Sequence, residues 1–139
     1  MDRRQFIGTV TAAAVLSGVA SKANAKVAAP SFEGALYLSK AKPGRWAAKA
    51  AGHLPNIVVK NQGGKTEVSV TTPHGMSGYT HYIVKHQLFD ENMNLLGEKM
   101  FDPTKDAPIS NFSLPNYSGK LYALSVCNKH DAWLSETVV

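Results

Sequence analysis

Residues 121–130 read LYALSVCNKH: a run of apolar and β-favouring residues ending in a turn that holds the chain's single cysteine, Cys127, three positions before His130. Leu121 to Val126 reads as a strand. The same pattern recurs on working outward. Ile57-Val58-Val59 is a short apolar run, Glu67 to Thr71 places Val68 and Val70 on one face, and Asn61-Gln62-Gly63-Gly64 between them is a turn. Tyr82 to Asp90 (YIVKHQLFD) alternates in places and stops at the polar turn Asp90-Glu91-Asn92. Pro103, Pro108, Pro115 and Gly119 fall at about the interval expected of antiparallel strands joined by loops. Helical periodicity is confined to Trp46 to Ala51, around the short AAKAA. The pattern predicts an all-β antiparallel sandwich of about seven short strands, with a barrel as the second choice.

The first 25 residues stand apart from this domain. MDRRQFIGTVTAAAVLSGVASKANA has a positive start, an apolar run and a small-residue exit at Ala23-Asn24-Ala25, the pattern of an export signal. Gly8, Thr9, Thr11, Ser17 and Gly18 interrupt the apolar run, so it makes a poor membrane span. Arg3-Arg4 followed by Phe6-Ile7 adds the twin-arginine pattern, an address used for proteins exported already folded. The expected layout is a signal peptide over 1–25, a tether over 26–31 (KVAAPS) and one β domain over 32–139, located in the periplasm. Folded export suits a protein that takes up its metal before leaving the cytoplasm.

Losing 1–25 removes Arg3, Arg4 and Lys22 against Asp2, which lowers the formal net charge from +5 to +3. No basic block remains, so neither nucleic acid nor, once the signal is removed, a membrane is an expected partner, while a small anion can still be drawn to a locally positive site. A lone cysteine cannot close an internal disulfide, and an exposed thiol outside the cytoplasm is an oxidation liability.

Chemistry concentrates at strand ends. His53 precedes Leu54-Pro55 and is expected to open a strand, His74 lies in the turn-like TPHGMSG, His81 starts a strand, and Cys127 and His130 leave one. His86 lies inside a strand and reads as an ordinary packed or surface histidine. Any one loop histidine is more often solvated than ligating. The C-x2-H pair, the lone cysteine and the export signal together favour a mononuclear metal site. One thiolate with several imidazoles suits copper, iron or zinc rather than calcium or magnesium. Blue copper would want a methionine beyond His130, where Asp131-Ala132-Trp133-Leu134 stands instead, and structural zinc usually draws on more than one cysteine. Iron remains.

The order H-x-P at His53, P-H-G-M at Pro73 to Met76, a histidine at 81 before Tyr82-Ile83, and the closing LYALSVCNKHDAW resembles the iron domain of superoxide reductases, the desulfoferrodoxin and neelaredoxin family. The resemblance spans about residues 30 to 139. It implies a seven-stranded immunoglobulin-like sandwich holding one non-heme iron (Fe2+/Fe3+), with His53, His74, His81 and His130 as equatorial ligands and Cys127 as the axial thiolate opposite an open position. It also implies superoxide as substrate and hydrogen peroxide as product. An external electron donor is then required, a periplasmic cytochrome being the guess that the location allows, and self-association is left open. With one cysteine, the chain looks like the one-iron form.

Three positions depart from the family's pattern. Six residues rather than five separate His74 from His81, with Gly75 and Gly78 available to absorb the extra one. Ala51-Gly52 replaces the Glu-Lys that commonly precedes the first histidine, leaving Lys49 and Lys129 as the nearest candidates for the catalytic cation. Asp131 stands where glycine is usual. The alternative reading is a sandwich that has lost catalysis and serves as a carrier or binding module, for example in sulfur metabolism, or as an electron-transfer module.

Overall fold

A computed structural model describes residues 31–139; the expected twin-arginine signal over 1–25 and nearly all of the tether lie outside the described residues. Seven strands form two antiparallel sheets: β1 (Asn56–Gln62), β2 (Lys65–Thr71) and β5 (Ile109–Pro115) in the order β1-β2-β5, and β3 (Ile83–Phe89), β4 (Leu95–Met100), β6 (Lys120–Cys127) and β7 (Ala132–Val138) in the order β4-β3-β6-β7. The expected sandwich is therefore the observed architecture.

Period-two burial builds it. In β2, Thr66, Val68 and Val70 point inward; in β6, Leu121, Ala123, Ser125 and Cys127 do the same. The two sets meet between the sheets, where Val68, Val70, Leu88, Leu114, Leu121 and Ala123 form the main core. Gly63 (φ 56°) and Gly64 (φ 80°) close the β1–β2 hairpin, a two-residue turn that needs positive φ at both positions. β3 departs from strict alternation, with Ile83, His86 and Leu88 buried. A register shift between Ile83 and Lys85 accounts for it: the bulge lets Ile83 face inward opposite Cys127 while His86 also faces inward. Ile83, Phe101 and Cys127 form a second buried cluster, with Met76 packed against it.

One expectation is corrected. His53 does not open a strand; it closes a short helix, α1 (Ala50–His53), which continues a 3-10 helix over Gly44–Lys49. Proline disfavours helical angles in the residue before it. Leu54, before Pro55, is accordingly extended (φ −66°, ψ 124°), so the helix stops at His53 and β1 starts at Asn56. No helix among the described residues is long and apolar enough to cross a membrane.

Candidate metal centre

Five side chains converge at one end of the sandwich: His53 from the end of α1, His74 and His81 from the loop between β2 and β3, Cys127 from the last position of β6, and His130 from the turn before β7. Each arrives by a local rule. Cys127 faces inward because it continues the alternation of Leu121, Ala123 and Ser125. His81 is held beside the Cys127 turn by Asn128, whose Oδ1 accepts the Tyr82 N–H (3.0 Å) and whose amide donates to the Thr80 carbonyl (3.1 Å). Between His74 and His81, Gly78 takes the left-handed region (φ 53°), where a 3-10 turn over Gly78–Thr80 begins. Both histidines reach the centre.

The four imidazoles make a square. Neighbouring ring centroids lie 4.6 Å (His53 and His74), 4.5 Å (His74 and His81), 4.8 Å (His81 and His130) and 4.8 Å (His130 and His53) apart, each pair nearly perpendicular, while the diagonal pair His53 and His81 is 6.2 Å apart. Their inner nitrogens form the corners: His74 Nε2 to His81 Nε2 is 3.0 Å, His81 Nε2 to His130 Nδ1 is 3.1 Å, and His130 Nδ1 to His53 Nε2 is 3.0 Å. Cys127 Sγ lies 3.6 Å from His130 Nδ1 and 3.9 Å from His74 Nε2, two opposite corners, and so sits off the plane near the axis of the square.

Hydrogen bonds outside the square settle which nitrogen lone pair faces in for two of the four rings. His53 Nδ1–H donates to the Lys49 carbonyl (2.8 Å) and His74 Nδ1–H donates to the Gly75 carbonyl, because a carbonyl can only accept. The Nε2 of each is then an unprotonated acceptor aimed at other nitrogens. Two inward lone pairs among four converging ring nitrogens and a sulfur make a place for a cation at the centre. A square of edge about 3.0 Å keeps its corners about 2.1 Å from the centre, an ordinary metal-to-imidazole distance. The donor set and its spacing fit a single metal ion, and among the described residues no further His, Cys, Asp or Glu joins the five.

Electrostatics keep these nitrogens available. Burial, opposed by the bond to the Lys49 carbonyl and aided by the neighbouring imidazoles, lowers His53 to about 4. Burial also lowers His81, with His74 and His130 adding to it, and lowers His130, with Lys49 and His74 adding. At neutral pH His53, His81 and His130 are therefore held in the neutral form that can ligate. Lys49 and Lys129, both exposed, are near enough for their charges to act on His81 and His130; Lys129 also donates its backbone N–H to Cys127 Sγ (3.4 Å). His86 stays out of the site, fully buried between Thr72 Oγ1 and Ser110 Oγ, each 2.8 Å from a ring nitrogen.

The supporting residues were not legible as a group. Trp133 Nε1–H donates to the His130 carbonyl (2.7 Å), and the Cys127 N–H donates to the Asp131 carbonyl (3.0 Å), so the turn is held from both sides. The Asp131 carboxylate accepts from Arg45 Nε (3.0 Å), Arg45 Nη2 (2.9 Å) and Trp46 Nε1 (3.0 Å), residues 85 and 86 positions away. Its only signal in the sequence was that it stands in place of glycine.

The desulfoferrodoxin family model matches residues 45–136, well over half of the chain. The chain is similar in structure to a superoxide reductase (neelaredoxin) from Ignicoccus hospitalis, with a TM-score of 0.64 and 28% identity over 79% of this chain and 98% of that one. It is similar to a superoxide reductase in the oxidised state, with a TM-score of 0.59 and 29% identity over 75% of this chain and 96% of that one. A variant of the superoxide reductase (neelaredoxin) from Archaeoglobus fulgidus, in the reduced form, gives a TM-score of 0.56 and 26% identity over 66% of this chain and 91% of that one. No curated protein sequence matches the chain. The sandwich, the five converging donors and the match over residues 45–136 lead to one assignment: the chain belongs to the desulfoferrodoxin family, whose iron centre this donor set fits.

Proposed function

We propose that this protein is an exported superoxide reductase that converts superoxide to hydrogen peroxide at one iron ion held by His53, His74, His81, His130 and Cys127. The observation carrying this reading is the square of imidazole nitrogens with a sulfur on one side of it and no sixth ligating side chain among the described residues. Iron held by these five residues would supply a one-electron couple, with the Cys127 thiolate as its electron-rich ligand. One superoxide, one electron and two protons give one hydrogen peroxide, and an external donor restores the electron. In this reading the exported protein meets its donor outside the cytoplasm, and a periplasmic cytochrome is the guess that this location allows.

The chain's own residues have separable roles in this reading. The Lys49 and Gly75 carbonyls hold His53 and His74 in the tautomer that presents Nε2 to the centre. Cys127, 4% exposed and packed with Ile83, Phe101 and Met76, is shielded from the oxidation that threatens an exported thiol. Lys49 and Lys129 supply the positive charge that draws the anion to the His81 and His130 side, in place of the lysine absent before His53.

The test is metal analysis with a visible spectrum of the oxidised protein, then addition of superoxide to the reduced form. The expected result is one iron per chain and a thiolate-to-iron absorption that appears as superoxide is consumed. Cys127→Ser should abolish that band and the reaction with it; unchanged superoxide reduction in the variant would sink the proposal. Reversible redox behaviour without reaction toward superoxide would assign electron transfer instead, and protein without iron would assign a carrier.

A further inference from the structure

The segment that delivers His53 is weakly built. The 3-10 helix Gly44–Lys49 buries no residue, Trp46 departs from helical angles within it, and α1 buries only His53. Helical pieces this short are marginal alone, so side-chain attachments must hold the segment against the sandwich. Those around Asp131 form one connected unit. Its carboxylate takes two parallel hydrogen bonds from the Arg45 guanidinium and a third from the Trp46 indole. Arg45 lies over the Trp46 ring at 5.2 Å, and the Trp46 ring meets His130 edge-on at 4.6 Å. The ion pair is partly exposed, with side-chain exposures of 71% for Arg45 and 30% for Asp131, which would ordinarily make it worth little. Bidentate geometry and a shared third donor are the conditions under which such a pair counts.

Asp131 also occupies the left-handed region (φ 63°), where glycine would sit without strain. The turn itself needs only the backbone carbonyl that accepts the Cys127 N–H. The carboxylate therefore adds nothing to the turn and everything to the link with residues 45 and 46.

We infer that the Arg45–Asp131–Trp46 cluster is a latch that keeps the metal in place: it pins the segment carrying Lys49 and His53 onto the His130 turn, so that His53 cannot leave the square without the latch opening. Asp131 is a positioning residue, acting through Trp46 and His130 rather than on the ion. The inference rests on metal binding by the five donors and not on what the metal does.

Asp131→Gly tests it, since glycine keeps the turn and removes only the carboxylate. Two readouts on the iron-loaded protein suffice: release of iron to a competing chelator, and tryptic cleavage after Lys49, within the pinned segment. Both should rise at least about tenfold, while the unfolding temperature of the metal-free protein stays near that of the metal-free parent. A merely structural role would move the unfolding temperature and leave local cleavage in step with it, and that result, or release and cleavage within twofold of the parent, overturns the latch. If Asp131→Gly fails to fold, Trp46→Phe decides, because it keeps the ring against His130 and removes one donor: both rates should rise together, and unchanged rates refute the inference. Neither readout involves superoxide, so a failure here is distinct from a failure of the proposed reaction.

Discussion

His53 and His86 are both buried imidazoles that desolvation pushes down to about 4, yet they are built for different ends. His53 spends one nitrogen on a backbone carbonyl and aims the other at three more imidazoles. His86 spends both on hydroxyls, and Thr72 carries the chain on to Ser125 (2.7 Å), so that its network ties β3 and β6 to β5 and the end of β2 and leaves no buried side-chain polar atom unpaired among the described residues. This arrangement belongs to the neutral ring. Folded, His86 takes up a proton near 4; unfolded, near its ordinary 6.5. Between those values the unfolded chain binds more protons, so His86 contributes its full stability above about 6.5 and loses it as pH falls toward 4, by about 3 kcal/mol in all. Unfolding free energies of the parent and of His86→Gln, measured from pH 7 to pH 4, should converge by about that amount, and parallel curves would show that His86 titrates normally.

At the scale of elements, legibility followed burial. β2 and β6 were plain because each hides alternate residues, and β3 read only partly because its bulge breaks the period. β4 left no pattern. It is an edge strand whose residues Leu95, Glu98, Lys99 and Met100 are exposed, so no face was selected for apolar residues. Its informative residue is Gly97. A Cβ there would meet the Phe112 ring of β5 at 2.5 Å, so the glycine is what lets the edges of the two sheets approach. Gly97→Ala should destabilise by about 1–3 kcal/mol, read as a lower denaturant midpoint at unchanged slope. Trimming the ring with Phe112→Leu should make the alanine nearly harmless, whereas additive losses would mean that the two residues do not share this contact. The centre was legible by the same physics turned outward: its donors sit where strands end, and breakers mark strand ends. His53 was the exception in its setting, because the single helical turn that ends before Pro55 is too short to show a period.

The whole molecule joins a stable scaffold to a site that the scaffold alone does not complete. His53 and His130 are 77 positions apart and Arg45 and Asp131 are 86, so no local spacing could announce their pairing; only the closed sandwich brings them together. The cost of that closure falls at the square, where nitrogens 3.0–3.1 Å apart present lone pairs to one another unless a cation or a proton intervenes. The centre should therefore be strained when empty and a source of stability when filled. Binding to the folded state alone adds about 2.7 kcal/mol at a free metal concentration 100 times the dissociation constant, and a domain of this size converts that into a rise of about 10 °C or more in Tm. Removing iron with a chelator should lower Tm by that order and restoring it should reverse the loss. The gap should narrow on acidification, since protons compete with the metal for the same nitrogens. Equal Tm values with and without iron at neutral pH would mean that the square is rigid without its ion, and the folding of this end of the sandwich would then owe nothing to the metal.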